Sequence, residues 1–168
     1  ATKHIAEVYL QDADEIDVTV LRYPRIVAPF DSNAITTFHE MISGDNDITL
    51  YGDGMNEFDF VHINDVVRFH QHLLDAGLPS GVFHVATDDA IRLVELVEEI
   101  GDAIDVRPRY ECIPRDDLDE DFIEDDFLPH SNTLSNNKSK QSLGFDYAFP
   151  NVQDVLEDII EMVAMVPK

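Results

Sequence analysis

Two stretches restrict this chain more than any others: residues 18–29 (VTVLRYPRIVAP) and residues 48–67 (ITLYGDGMNEFDFVHINDVV). The first is almost unbroken in apolar and β-branched residues until its prolines. That is the pattern of a buried parallel strand running into a turn. The second reads as strand, glycine turn, strand and helix start, with Gly52-Asp53-Gly54 as the turn.

The flanking sequence alternates in the same way. Residues 2–12 carry Ile5, Ala6, Tyr9 and Leu10 at helical spacing. Ser32 or Asn33 caps a helix that ends near Gly44, and Asn64 and Asp65 cap another with Val66, Val67, Phe69, Leu73 and Leu74 inside. A buried strand over 81–86 precedes a helix whose core face is Leu93, Leu96, Val97, Ile100 and Ile104. Residues 109–113 form an edge strand. The last helix follows Pro150, with Asn151 as cap and Val152, Val155, Leu156, Ile159, Ile160 and Val163 facing the core. Strands alternating with helices define an α/β architecture, and no internal repeat is visible.

A chain of 168 residues buries roughly 70% of its unfolded surface, enough for a real core. No apolar run approaches the ~20 residues that span a bilayer. The lone Cys112 cannot form an internal disulfide and is expected as a small buried hydrophobe in a reducing cytoplasm. Thirty-five acids against eleven bases give a formal net charge of −24. Such a surface repels nucleic acid and anionic lipid. The acids are spread through every helix, which predicts a solvated coat suited to a salt-rich cytoplasm, where molar salt shortens the Debye length to about 3 Å. Residues 116–126 hold eight acids in eleven positions but lack the alternating ligands and central glycine of a calcium loop. A solvated loop is expected there.

The residues alone point to little chemistry. His70 and His72 lie two apart on a helix and face different ways, and His39-Glu40 lacks the second histidine of a zinc helix. No metal site is expected.

In their order and spacing, however, these motifs resemble the extended short-chain dehydrogenases/reductases, the family of NAD-dependent nucleotide-sugar epimerases and dehydratases. Ala1-Thr2-Lys3 followed by Ala6-Glu7 is similar to the end of the family's Tyr-x-x-x-Lys motif. Residues 22–29 (RYPRIVAP) resemble Arg-Tyr-Phe-Asn-Val-Tyr-Gly-Pro. Tyr-Gly-Asp-Gly at 51–54, Asp59-Phe60-Val61, and residues 138–145 ending Leu143-Gly144-Phe145 follow the family in turn. The resemblance covers nearly the whole chain. It implies the C-terminal portion of a Rossmann-type enzyme, one or two parallel strands plus a small α/β substrate-binding lobe. Residues 1–29 would end the dinucleotide-binding domain and 30–168 would form the lobe. The chain carries no glycine-rich dinucleotide fingerprint, and the motif tyrosine would sit two residues before Ala1. This stretch is therefore expected to be inactive by itself.

By the same resemblance, Lys3 is the motif lysine, which holds the nicotinamide ribose of NAD or NADP and lowers the tyrosine's pKa. Pro24 and Ile26 lie beside the nicotinamide. Arg25, Asn33, Leu50, Tyr51 and Phe58 face a nucleotide-diphosphate sugar, Leu50 and Tyr51 lining the base. The implied reaction passes a hydride between a sugar carbon and the nicotinamide while the tyrosine takes a hydroxyl proton. A homodimer through the helix that begins near Lys3 also belongs to this picture.

The departures matter too. Phe58 stands where the family usually has an arginine that grips phosphate. The family's second arginine falls in a segment rewritten here as the acidic loop, so Arg115 has no secure counterpart. Arg25, in place of an asparagine, is positioned to supply a guanidinium from the opposite wall. Two other readings stand beside the nucleotide-sugar enzyme: a reductase of an uncharged carbonyl compound, and a non-catalytic binding protein that keeps the fold.

Overall fold

A computed structural model of the chain describes residues 2–13, 16–117, 131 and 133–165. The acidic stretch from 118 to 126 and the Arg115 side chain lie outside the described parts. The elements run α1 (Thr2–Gln11), β1 (Thr19–Arg22), β2 (Arg25–Val27), α2 (Ala34–Ser43), β3 (Asp47–Tyr51), β4 (Glu57–Phe58), β5 (Phe60–His62), α3 (Ile63–Asp75), β6 (Gly81–His84), β7 (Ile91–Arg92), α4 (Leu93–Ala103), β8 (Arg109–Ile113), α5 (Asn137–Leu143) and α6 (Val152–Ala164). Three strand pairs are parallel: β1 with β6, β2 with β5, and β3 with β8. Among the described residues β4 and β7 alone run antiparallel. Parallel pairs need long crossovers, and α3 carries the chain from β5, the partner of β2, to β6, the partner of β1.

Two cores result. One joins α2, β3, α4 and α6 through Ile35, Ile48, Leu50, Leu96, Ile100, Leu156 and Ile159. The other joins α3 and β6 to the chain after α5, through Phe69, Leu73, Phe83, Phe145 and Tyr147. Phe145 packs edge-on against both Phe69 and Tyr147, with centroids 4.9 and 4.8 Å apart. Asp65 ties the second core together. It is fully buried and accepts the Ala148 and Phe149 N–H groups at 2.9 Å each and Arg68 Nη1 at 2.5 Å.

Several expectations change. The single strand expected within residues 18–29 is two, because Tyr23-Pro24 interrupts the ladder and sends β1 and β2 to different partners. β1 is half-buried along Thr19–Leu21, not buried on both faces. α3 is capped by His62, whose Nδ1 accepts the Asn64 N–H at 3.2 Å, and not by Asn64 or Asp65. Val67 and Leu74 are exposed on the far side of that helix, while Val66, Phe69 and Leu73 are buried as expected. Cys112 is exposed rather than buried, since it stands on β8, which pairs only with β3 among the described residues. The caps Asn33 and Asn151 are as the sequence predicts, and α5 ends at Gly144 in the left-handed conformation (φ 67°). Among the described residues no helix is long and apolar enough to cross a membrane.

Candidate functional site

Where β3, β4 and β5 face the start of α2 and α4, their side chains enclose a cavity of about 200 Å³. Each wall has a local cause. α2 opens on Asn33, whose Oδ1 accepts the Ile35 and Thr36 N–H groups at 3.0 and 3.2 Å. The cap sets the helix so that Ala34 and Phe38, one turn apart, line the cavity. β3 presents Thr49, Leu50 and Tyr51. The chain then reverses through Gly52 and Gly54, both at positive φ (91° and 71°), where side chains are strained. Asp53 Oδ1 accepts the Met55 N–H at 3.0 Å and closes the turn. That reversal brings Phe58 and Phe60 back beside Tyr51.

Arg25 completes the rim. Its Cα is the register partner of Phe60, and its guanidinium lies 4.1 Å from the centroid of the Phe58 ring. Cation–π stacking at a partly desolvated site contributes about 1–2 kcal/mol. Burial pulls the Arg25 pKa down, and the field of Asp59 pushes it back up. The cavity is therefore an aromatic and aliphatic slot with one half-buried cation at its edge. Such a site accepts a flat or apolar group that carries, or adjoins, negative charge.

Arg25, Leu50, Tyr51 and Phe58, which the resemblance assigns to the substrate, line this one cavity. Asn33 stands one residue outside: its Oδ1 caps α2 and its Nδ2 donates to the Ala28 and Asp31 carbonyls at 2.9 and 3.1 Å. Pro24 and Ile26 flank Arg25 at the step between β1 and β2, with Ile26 41% exposed. Lys3 is exposed in the first turn of α1. One turn later Glu7 pairs with Arg22 of β1, fixing α1 against that strand. The near neighbours Tyr23 and His70 stack with centroids 6.1 Å apart. Burial pushes the Tyr23 hydroxyl up to about 12. Among the described residues no group of metal-ligating side chains is assembled.

Sequence reasoning missed Phe38, Thr49, Phe60 and Asp59. The one-turn spacing of Ala34 and Phe38, and the two-residue spacing of Phe58 and Phe60, were the available signals. Asp59 is buried between those phenylalanines. One carboxylate oxygen accepts the Leu134 N–H at 2.6 Å and the other has no hydrogen-bond partner.

Parallel strand pairs crossed by helices, with a ligand-sized slot beside the step from β1 to β2, define a Rossmann-type α/β chain. The family model described as "NAD dependent epimerase/dehydratase family" matches residues 1–86. The chain belongs to that family, within the extended short-chain dehydrogenases/reductases. Among solved structures it resembles the dTDP-glucose 4,6-dehydratase of Bacillus anthracis in complex with NAD, with a TM-score of 0.77 and 18% identity over 96% of this chain and 49% of that one. It also resembles the UDP-glucose 4-epimerase of Thermotoga maritima with UDP-glucose, with a TM-score of 0.72 and 22% identity over 96% of this chain and 52% of that one. A curated relative, vestitone reductase of Medicago sativa, is 28% identical over 109 residues, which are 64% of this chain and 30% of that protein. The chain thus spans about half the length of these solved structures and less of the reductase.

Proposed function

We propose that this chain forms the substrate side of an NAD(P)-dependent epimerase or dehydratase acting on a nucleotide-diphosphate sugar. The observation that carries the reading is the slot itself: Leu50, Tyr51 and Phe58 offer flat apolar walls, and Arg25 offers one guanidinium at the rim. A nucleobase suits the walls and a diphosphate suits the cation, whose charge-assisted bonds contribute about 1.5–3 kcal/mol each. Residues 1–29 then close the dinucleotide-binding part and 30–168 make the substrate lobe, with β6 returning to pair β1. The nicotinamide group supplies hydride transfer when bound. On this side Ile26, an apolar residue of β2 that is 41% exposed, suits an aromatic ring, and Lys3 suits a ribose hydroxyl. Asn33 contributes by fixing α2 and, through it, Phe38.

A thermal-shift panel of UDP-, dTDP- and GDP-sugars in molar KCl tests this. One nucleotide class should stabilise the protein, approaching 2.7 kcal/mol at about 100 times its Kd. Arg25→Asn in the intact protein should raise KM for that nucleotide sugar at least tenfold, and an unchanged KM would sink the role given to Arg25.

A second reading, reduction of an uncharged carbonyl compound, draws on the aromatic lining, on Phe58 in place of arginine, and on the identity to vestitone reductase. Stabilisation by aromatic ketones and by no nucleotide sugar would select it. If neither class binds, a non-catalytic role on the same fold takes their place.

A further inference from the structure

His62 has no part in either reading of the slot, yet three elements meet on its ring, which is 1% exposed. It ends β5 and caps α3, with Nδ1 accepting the Asn64 N–H at 3.2 Å. Nε2 lies 3.2 Å from Asp158 Oδ2 on α6. The ring packs on Phe149, with centroids 4.0 Å apart, in the segment that Asp65 fastens to α3.

The cap dictates where the ring carries its proton. A backbone N–H can only donate, so Nδ1 must offer a lone pair. The single proton of a neutral imidazole then sits on Nε2, facing Asp158. An asparagine or serine cap works at any pH, whereas a histidine cap works only while Nδ1 is bare. Protonated Nδ1 would set a hydrogen against the Asn64 hydrogen, and a buried donor would be left without an acceptor.

The charged groups around the ring pull the other way. Asp158 faces it from α6, and Asp65, in the first turn of α3 and bonded to Arg68 at 2.5 Å, adds a second carboxylate. Both favour a charged ring. Val27, its register partner on β2, and Phe149 do not titrate. Burial outweighs the carboxylates and pulls the imidazole below its ordinary 6.5. The folded chain therefore takes up this proton later than the unfolded one. The contribution of the cap is complete above about pH 6.5 and is lost as pH falls further.

We propose that His62 is an acid-released latch: neutral, it closes the first turn of α3 and holds α6 and residues 148–149 beside it; protonated, it gives up the cap and lets that joint open.

Nitrogen NMR and amide exchange on the 15N-labelled chain, at pH 7.5 and pH 5, test this. At pH 7.5 the His62 proton should be found on Nε2. The protection factor of the Asn64 amide, corrected for the intrinsic pH dependence of exchange, should fall roughly tenfold at pH 5. Asp59 and the acidic coat stabilise the fold on acidification, so this fall does not come from them. His62→Asn keeps an acceptor that does not titrate, and its Asn64 protection should hold at both pH values. Should that variant fail to fold, Asp158→Asn serves instead: the cap stays, a carboxylate that favours the charged ring is gone, and His62 should titrate at lower pH than in wild type. A proton on Nδ1 at pH 7.5, equal wild-type protection at the two pH values, or the same fall in His62→Asn overturns the proposal. An unmoved His62 midpoint in Asp158→Asn overturns it too.

Discussion

Replacing Asp65 with asparagine should destabilise this fold more than any surface change. The carboxylate sits in the first turn of α3, fully buried, and receives the Ala148 and Phe149 N–H groups at 2.9 Å each. Those donors lie more than 80 residues away in sequence, so the contact fastens the segment before α6 to α3. A hydrogen bond to a charged group contributes about 1.5–3 kcal/mol. Asparagine keeps one acceptor oxygen but turns its own NH2 against the second N–H, losing one bond and orphaning a buried donor. Arg68, half-exposed, adds only about 0.5 kcal/mol. The sum is a loss of about 3 kcal/mol, against a total stability on the order of 5–15 kcal/mol. Urea titration followed by circular dichroism in about 2 M KCl should show a lower midpoint with an unchanged slope. Asp75→Asn, exposed on the same helix, is the control and should lie within about 0.5 kcal/mol of wild type. If Asp65→Asn lost less than about 1 kcal/mol, the view that this carboxylate secures the second core would be wrong.

Other outcomes follow from the same structure. With a net charge of −24, the melting temperature should climb as KCl rises from about 0.1 to 2 M and the Debye length contracts from about 10 Å to below 3 Å; a flat curve would contradict dominant self-repulsion. Gly54→Ala should lose about 2 kcal/mol or more in the same urea assay, since its φ is +71° and a Cβ would stand 2.3 Å from Val94 Cγ1. The Asp59 carboxyl is pushed up to about 6 from an ordinary 3.8, so the folded chain keeps that proton longer than the unfolded one. Its ionisation therefore subtracts stability as pH rises from about 4 to 6. Asp59→Asn should be more stable than wild type by about 1–2 kcal/mol at pH 8, with the gap closing at pH 4; equal gaps at both would refute this. Cys112 should react with a maleimide in the native protein at the rate of a free thiol, and protection from labelling would mean that its β8 face is covered.

The legible parts of the fold were those governed by local chemistry. Asn33 and Asn151 announced their helices because a short side-chain acceptor is the simplest partner for the open N–H groups of a first turn. The glycine pair at 52 and 54 marked its reversal for an equally local reason. Long-range choices were hidden. Nothing within residues 17–26 says that β1 will pair with β6 and β2 with β5, because pairing depends on partners 35–62 positions away. Asp65 read as a cap because its acceptor role near a helix start is common, but its real donors, Ala148 and Phe149, are invisible locally. The same holds for the slot. Arg25, Leu50, Tyr51 and Phe58 stand in an ordered set of family-like motifs, whereas the place of Phe38 and Phe60 in the wall depends on what each faces across the fold.

The two-residue step at Tyr23-Pro24 also constrains how this chain can change over time. On either side of it, three or four residues are locked in parallel register with different partners. Adding or deleting one residue there would turn every side chain of β2 to the opposite face, removing Arg25 from the slot and Val27 from the core at once. Length variation between Leu21 and Val27 should therefore be absent from viable natural variants. It should collect instead at turns such as Gly77-Leu78, which join elements without setting their register.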